Sequence, residues 1–73
     1  MQLVDLTTLK DEELKTLVIE LKNNNTDKIW NCHKGVAHDT LDVLKSIYGV
    51  DNIRYITAKK IYDFMLEIDN KED

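Results

Sequence analysis

The chain has 73 residues, 42% of them hydrophobic and 33% charged, with a formal net charge of −4, one cysteine, two glycines and no proline. That length makes one domain, burying about 60% of the surface an unfolded chain exposes, and the hydrophobic content is too high for a disordered chain. A lone Cys32 excludes a disulfide framework, no run approaches a membrane span and no basic leader opens the chain, so a soluble cytoplasmic protein is expected.

Leu3, Val4 and Leu6 are expected to fold back as a short N-terminal arm over residues 1–8. The first helix starts near residue 9 or 11, with Thr8 and Asp11 as a capping box and Asp11, Glu12 and Glu13 at the positive helix end. Leu14, Leu17, Val18 and Leu21 make one apolar stripe at helical spacing. Asn23, Asn24 and Asn25 end the helix, since asparagine tolerates the left-handed conformation.

The second helical region runs from Thr26-Asp27 to Tyr48, with Gly49 closing it and Val50 making the accompanying hydrophobic contact. Its apolar face is read as Ile29, Trp30, Val36, Leu41, Leu44, Ile47 and Tyr48. Gly35 lies inside, at a cost of about 1 kcal/mol against alanine in a continuous helix, so two shorter helices turning at Lys34-Gly35 are the alternative. A connector from Asp51 to Ile56 leads to a last helix capped by Thr57, with Ile61, Phe64, Met65 and Ile68 as its stripe and Tyr62 and Leu66 widening it. Residues 69–73 are expected to fray as an acidic tail. The fold expected is all-α: a three-helix bundle, four if the chain breaks at Gly35.

Residues 29–48 follow the pattern Gly-Val-x-x-x-Thr-Leu-x-x-Leu from Gly35 to Leu44. This resembles the helix-turn-helix of bacterial and phage repressors, and the resemblance implies a DNA-reading second helix. Asn31 and Lys34 stand where that family packs small apolar and leucine residues. A recognition helix needs donors aimed at base edges, whereas the outward positions here are Ala37, His38, Asp39, Asp42 and Val43. Charge points the same way. Residues 1–26 hold five acidic against three basic side chains, residues 27–50 three against three, and residues 51–73 six against four, so no segment is basic enough for phosphate binding to dominate.

Arg54, Lys59 and Lys60 flank the start of the last helix and form a candidate anion or nucleic-acid contact, with pairing to Asp63 and solvation as the plainer reading. Cys32, His33 and His38 do not make a metal site: the two histidines lie roughly 140° apart around a helix and no second cysteine exists. Cys32 is expected to be a small core residue, and His38 with Asp42 a surface pair. No phosphate-binding glycine loop and no nucleophile with a base on its face are present, so neither enzymatic activity nor a cofactor is expected.

Large apolar groups outnumber what the two stripes need, and aromatics beside acids suit protein interfaces. The candidate interface is Trp30, Tyr62 and Leu66 as anchors, with Asp39, Asp42, Asp63 and Glu67 complementing a basic surface. Residues 41–68, Leu-x-x-Leu-Lys-x-x-Tyr-Gly-Val followed by Ile-Thr and a helix, resemble the C-terminal helical module of some phage antirepressor and recombination proteins. There such a piece serves protein contacts, which implies a phage or mobile-element origin. The expected function is a non-enzymatic, acidic accessory or inhibitor protein that docks on a larger protein, with a protein that handles nucleic acid as one candidate, and with no membrane partner. The alternatives are a helix-turn-helix DNA-binding regulator, dimeric through the last helix, and a homo-oligomeric structural protein.

Overall fold

A computed structural model describes residues 6–71, and a 3-10 turn at Leu6–Thr8 opens it. Three helices follow: α1, Asp11–Asn23; α2, Asp27–Tyr48; and α3, Ile53–Lys71. No strand occurs among the described residues, and the protein is an all-α three-helix bundle. α3 packs along both other helices and under the Leu6–Thr8 turn, whereas α1 and α2 touch each other least. Leu3 and Val4 of the expected arm lie outside the described residues.

Local chemistry sets each boundary. At the start of α1 the Glu13 carboxylate accepts the Lys10 backbone N–H at 3.0 Å, so Lys10 takes the cap position expected of Thr8. The asparagines end α1 without a left-handed residue: Asn24 sits at φ −93°, and the Asn25 side-chain amide donates to the Leu21 carbonyl at 2.7 Å. α2 begins where the Thr26 hydroxyl accepts the Ile29 N–H at 3.3 Å, and it ends at Gly49, whose φ of 85° favours a residue without Cβ.

Between those caps α2 runs unbroken through Gly35, so segment 29–48 has no turn between two helices. The alternative break at Gly35 is not what the chain adopts. A continuous ladder of about 13 helical residues after Gly35 outweighs the modest propensity cost of one glycine. The last helix also differs from expectation. It starts at Ile53, where the Asn52 side-chain oxygen accepts the Arg54 N–H at 2.9 Å, and Thr57 lies a turn inside it, buried. Most of the expected connector is therefore helix.

The core takes one large residue from each helix: Val18 of α1, Trp30 of α2 and Met65 of α3, with Leu21, Ala37, Ile61, Phe64 and Ile68 packed around them. Leu14 and Leu41 extend it. Trp30 is 3% exposed, which corrects its reading as an interface anchor. Its indole N–H donates to Asp69 at 2.9 Å, so burial leaves the ring's one polar atom satisfied. Leu17, expected in the α1 stripe, is exposed, because the stripe turns inward through Leu14, Val18 and Leu21.

Asp69 also corrects the expected frayed tail. Residues 69–71 continue α3, and residues 72–73 lie outside the described part. Besides the indole, the carboxylate holds the Lys34 ammonium, and Lys22 of α1 approaches to 4.0 Å. The Lys34 hydrogen bond first, then the Trp30 bond and the two lysine charges, hold the Asp69 carboxyl below its ordinary range against the opposing effect of burial.

Two expectations follow for stability. Gly35→Ala stabilises the domain by about 0.5–1 kcal/mol in urea denaturation, because the glycine is helical and nothing lies within 4 Å of an added Cβ; a destabilised variant would contradict the continuous helix. For Asp69, the folded-state pKa lies below the unfolded one. Its contribution is complete above the ordinary carboxylate value of about 3.9 and is lost as pH falls through the depressed value. Asp69→Ala costs about 1–3 kcal/mol at neutral pH, and the gap to the parent narrows in acid, measured by denaturation at a series of pH values.

Candidate interaction surface

The side of α3 turned from the core carries Tyr62 and, one turn on, Leu66. Tyr62 is half-buried, and its ring makes an edge-type contact with His38 on α2, centroids 5.8 Å apart at 61°. Leu66 is 40% exposed, which is high for a leucine beside such a seam. Asp42 stands one turn beyond His38 on α2 and is exposed on the same side. α2 and α3 run antiparallel, so Leu66 and Asp42 lie exposed one turn to either side of the His38–Tyr62 contact along the seam of α2 and α3.

The other candidate residues are dispersed. Asp63 accepts two hydrogen bonds from Lys59, at 2.8 and 3.0 Å, and that hydrogen bond is the main reason the Lys59 ammonium is pushed above its ordinary range. This pair borders the Leu66 side of the seam. Glu67 turns to α1, where Lys15 reaches it at 3.2 Å. Asp39 lies beyond His38, whose Nδ1 is 3.4 Å from its carboxylate, and so it belongs to a different edge of α2. His38 thus pairs with Asp39, not with Asp42 as expected.

Arg54, Lys59 and Lys60 do not converge. The Arg54 guanidinium lies over the Tyr48 ring at 4.9 Å, Lys59 holds Asp63, and Lys60 reaches Asp11 of α1 at 3.0 Å. With α3 beginning at Ile53, the two lysines stand in its second turn, on diverging sides, and three separate partners take the cations that an anion site needs together.

Cys32 is exposed, which corrects its reading as a core residue. At about 100° per residue it lies on the edge of α2 away from Trp30. Around it the structure reveals a surface the sequence reading missed. Ile29, Val36, Val43 and Ile47, together with Val50 past the helix end, are all exposed. Ile29, Val36 and Ile47, expected on the core-facing side of α2, thus lie on its uncovered side. The signal was present in the spacing, since Ile29, Val36, Val43 and Val50 recur every seven residues.

Two hollows lie on α1. One, of about 140 Å³, is lined only by apolar side chains, Leu6, Leu14, Leu17, Val18, Leu21 and Ile61. The other is an open depression of about 480 Å³ along Leu9, Glu12, Glu13, Thr16, Leu17 and Glu20. Neither brings a nucleophile and a base together. Among the described residues no three His, Cys, Asp or Glu side chains gather as a metal set, and no helix is long and apolar enough to cross a membrane. Compared with known families, curated proteins and solved structures, the chain has no significant match.

The edge contact with His38 holds the Tyr62 ring against α2, and aromatic pairs of this kind contribute about 0.5–1.5 kcal/mol. His38→Ala therefore lowers stability by no more than about 1.5 kcal/mol and increases quenching of tyrosine fluorescence by added acrylamide. Unchanged quenching would remove His38 as the residue that fixes Tyr62.

Proposed function

We propose that the protein is a non-enzymatic accessory or inhibitor that binds a larger protein through the seam of α2 and α3. Tyr62 and Leu66 are its anchors, and Asp42 and Asp63 its acidic border. The observation that carries this reading is the exposure of Leu66 beside a tyrosine that one histidine edge holds in place. An anchor pre-positioned in this way loses little conformational freedom on binding, and a ring beside exposed leucine is the composition of interface cores. The acidic border favours a basic target surface and speeds encounter with it.

The DNA-regulator reading is less well supported. A recognition helix set off by a turn needs a break that α2 lacks at Gly35, and the outward positions of α2 offer carboxylates and valines where base edges call for donors.

Affinity capture from the native host, followed by calorimetry on the purified partner, tests the proposal. Tyr62→Ala and Leu66→Ala each weaken binding at least about ten-fold, leave the helical circular dichroism unchanged, and act on an affinity that falls as salt is raised. Full affinity in both variants discards the anchors. In gel-shift titration with mixed genomic fragments at low salt, no retardation is expected at tens of micromolar protein; retardation that steepens as salt is lowered replaces this proposal with DNA binding.

A further inference from the structure

The outer edge of α2 holds an uncovered apolar stripe. Ile29, Val36, Val43, Ile47 and Val50 are 44%, 63%, 55%, 65% and 49% exposed, and the Cys32 thiol lies among them. The members inside the helix fall within about 60° of one another and roughly 140° around from the buried pair Trp30 and Leu41. One helix thus has two apolar faces, and the bundle covers one of them.

We propose that the uncovered face is the interface of a homodimer, in which α2 of one chain packs antiparallel against α2 of a second copy. The spacing carries the argument. Successive members of the set Ile29, Cys32, Val36, Val43, Ile47 and Val50 are 3, 4, 7, 4 and 3 residues apart, an order that reads the same from either end. Its midpoint falls between Asp39 and Thr40. A two-fold axis through that point sets Cys32 level with Ile47 of the second copy and Val36 with Val43, and brings Ile29 toward the segment past the helix end that carries Val50. A patch that complements itself on reversal is what an isologous contact requires.

Charge agrees with this direction. Lys28 stands at the N-terminal end of the stripe and Asp51 just beyond its C-terminal end, so reversal brings opposite charges together at both ends. The parallel arrangement would set Lys28 beside Lys28 and Asp51 beside Asp51. Antiparallel helices also align their dipoles favourably. At about 33 Å long and about 10 Å wide, the face offers on the order of 330 Å², about half of the 600 Å² per partner at the low end for specific dimers, so the dimer is weak and forms at high protein concentration. Asp39 opposes the association, because the axis places it beside its own counterpart.

This interface leaves Tyr62 and Leu66 free on another side of the bundle, so it stands independently of the docking proposal. Sedimentation equilibrium of the purified protein up to a few hundred micromolar tests it. The expected mass is twice the 8.5 kDa of one chain. Val43→Asp and Ile47→Asp, both at positions exposed in the single chain, restore the mass of one chain with unchanged circular dichroism, while Leu66→Asp leaves the dimer intact. Asp39→Ala tightens association about five-fold or more. Modification of the Cys32 thiol slows several-fold as concentration rises in the parent, and not in Val43→Asp. A single-chain mass throughout, or a dimer that survives both aspartate substitutions, overturns the proposal. So does efficient oxidation to a Cys32–Cys32 linked pair, because the antiparallel arrangement holds the two thiols about 22 Å apart along the axis.

Discussion

The Asp69 carboxylate joins all three helices through one side chain. It accepts the Trp30 indole N–H at 2.9 Å and holds Lys34 of α2, with Lys22 of α1 4.0 Å away. Its position is otherwise unfavourable, since a negative charge near the C-terminal end of α3 opposes the helix dipole. Two lysines offset that effect, and the indole supplies a donor that would be costly to bury unpaired. Lys34 also rests 5.9 Å from the centre of the Trp30 ring, so one cation serves both carboxylate and aromatic face. The arrangement explains why Lys34 stands where a repressor-type helix pair would place leucine. Its ammonium lies over the tryptophan ring and reaches across to Asp69 on α3.

The sequence shows α2 well and α3 less well, for physical reasons. Thr26 and Gly49 are unambiguous caps: one presents a hydroxyl just before an apolar run, and the other is the residue that most readily adopts φ 85°. At α3 two residues competed for the same role. Asn52 won because its side chain reaches the Arg54 N–H and its carbonyl accepts from Ile56 at 3.0 Å, which starts the helix a turn before Thr57. Trp30 illustrates a different limit. Whether an indole is core or anchor depends on an acceptor for its N–H, and here that acceptor lies 39 residues away, in a segment whose acidic composition suggested a frayed end.

The candidate surface was legible in part. Tyr62 and Leu66 were readable as surplus on α3, because they widen a stripe already complete in Ile61, Phe64, Met65 and Ile68. Which acids accompany them was not. Asp63 and Glu67 are four residues apart, yet one pairs within α3 and the other across to α1, a difference set by the way α1 lies against α3. The second face of α2 was hidden by its own richness. When apolar residues occupy two stripes of one 22-residue helix, a single periodic count merges them, and only the packing of α3 decides which stripe is inside.

That merged pattern bears on how so small a domain holds together. Among the described residues only Leu14, Val18, Trp30, Leu41 and Met65 are buried apolar side chains, a thin core for three helices. With one cysteine and no gathered metal ligands, covalent or metal reinforcement does not supplement it among the described residues. Association through the uncovered edge of α2 would add the missing burial without using the seam of α2 and α3. It would also place two copies of that seam on one particle, so that a target with repeated or symmetric basic surfaces would be bound with an effective concentration that a single chain cannot reach.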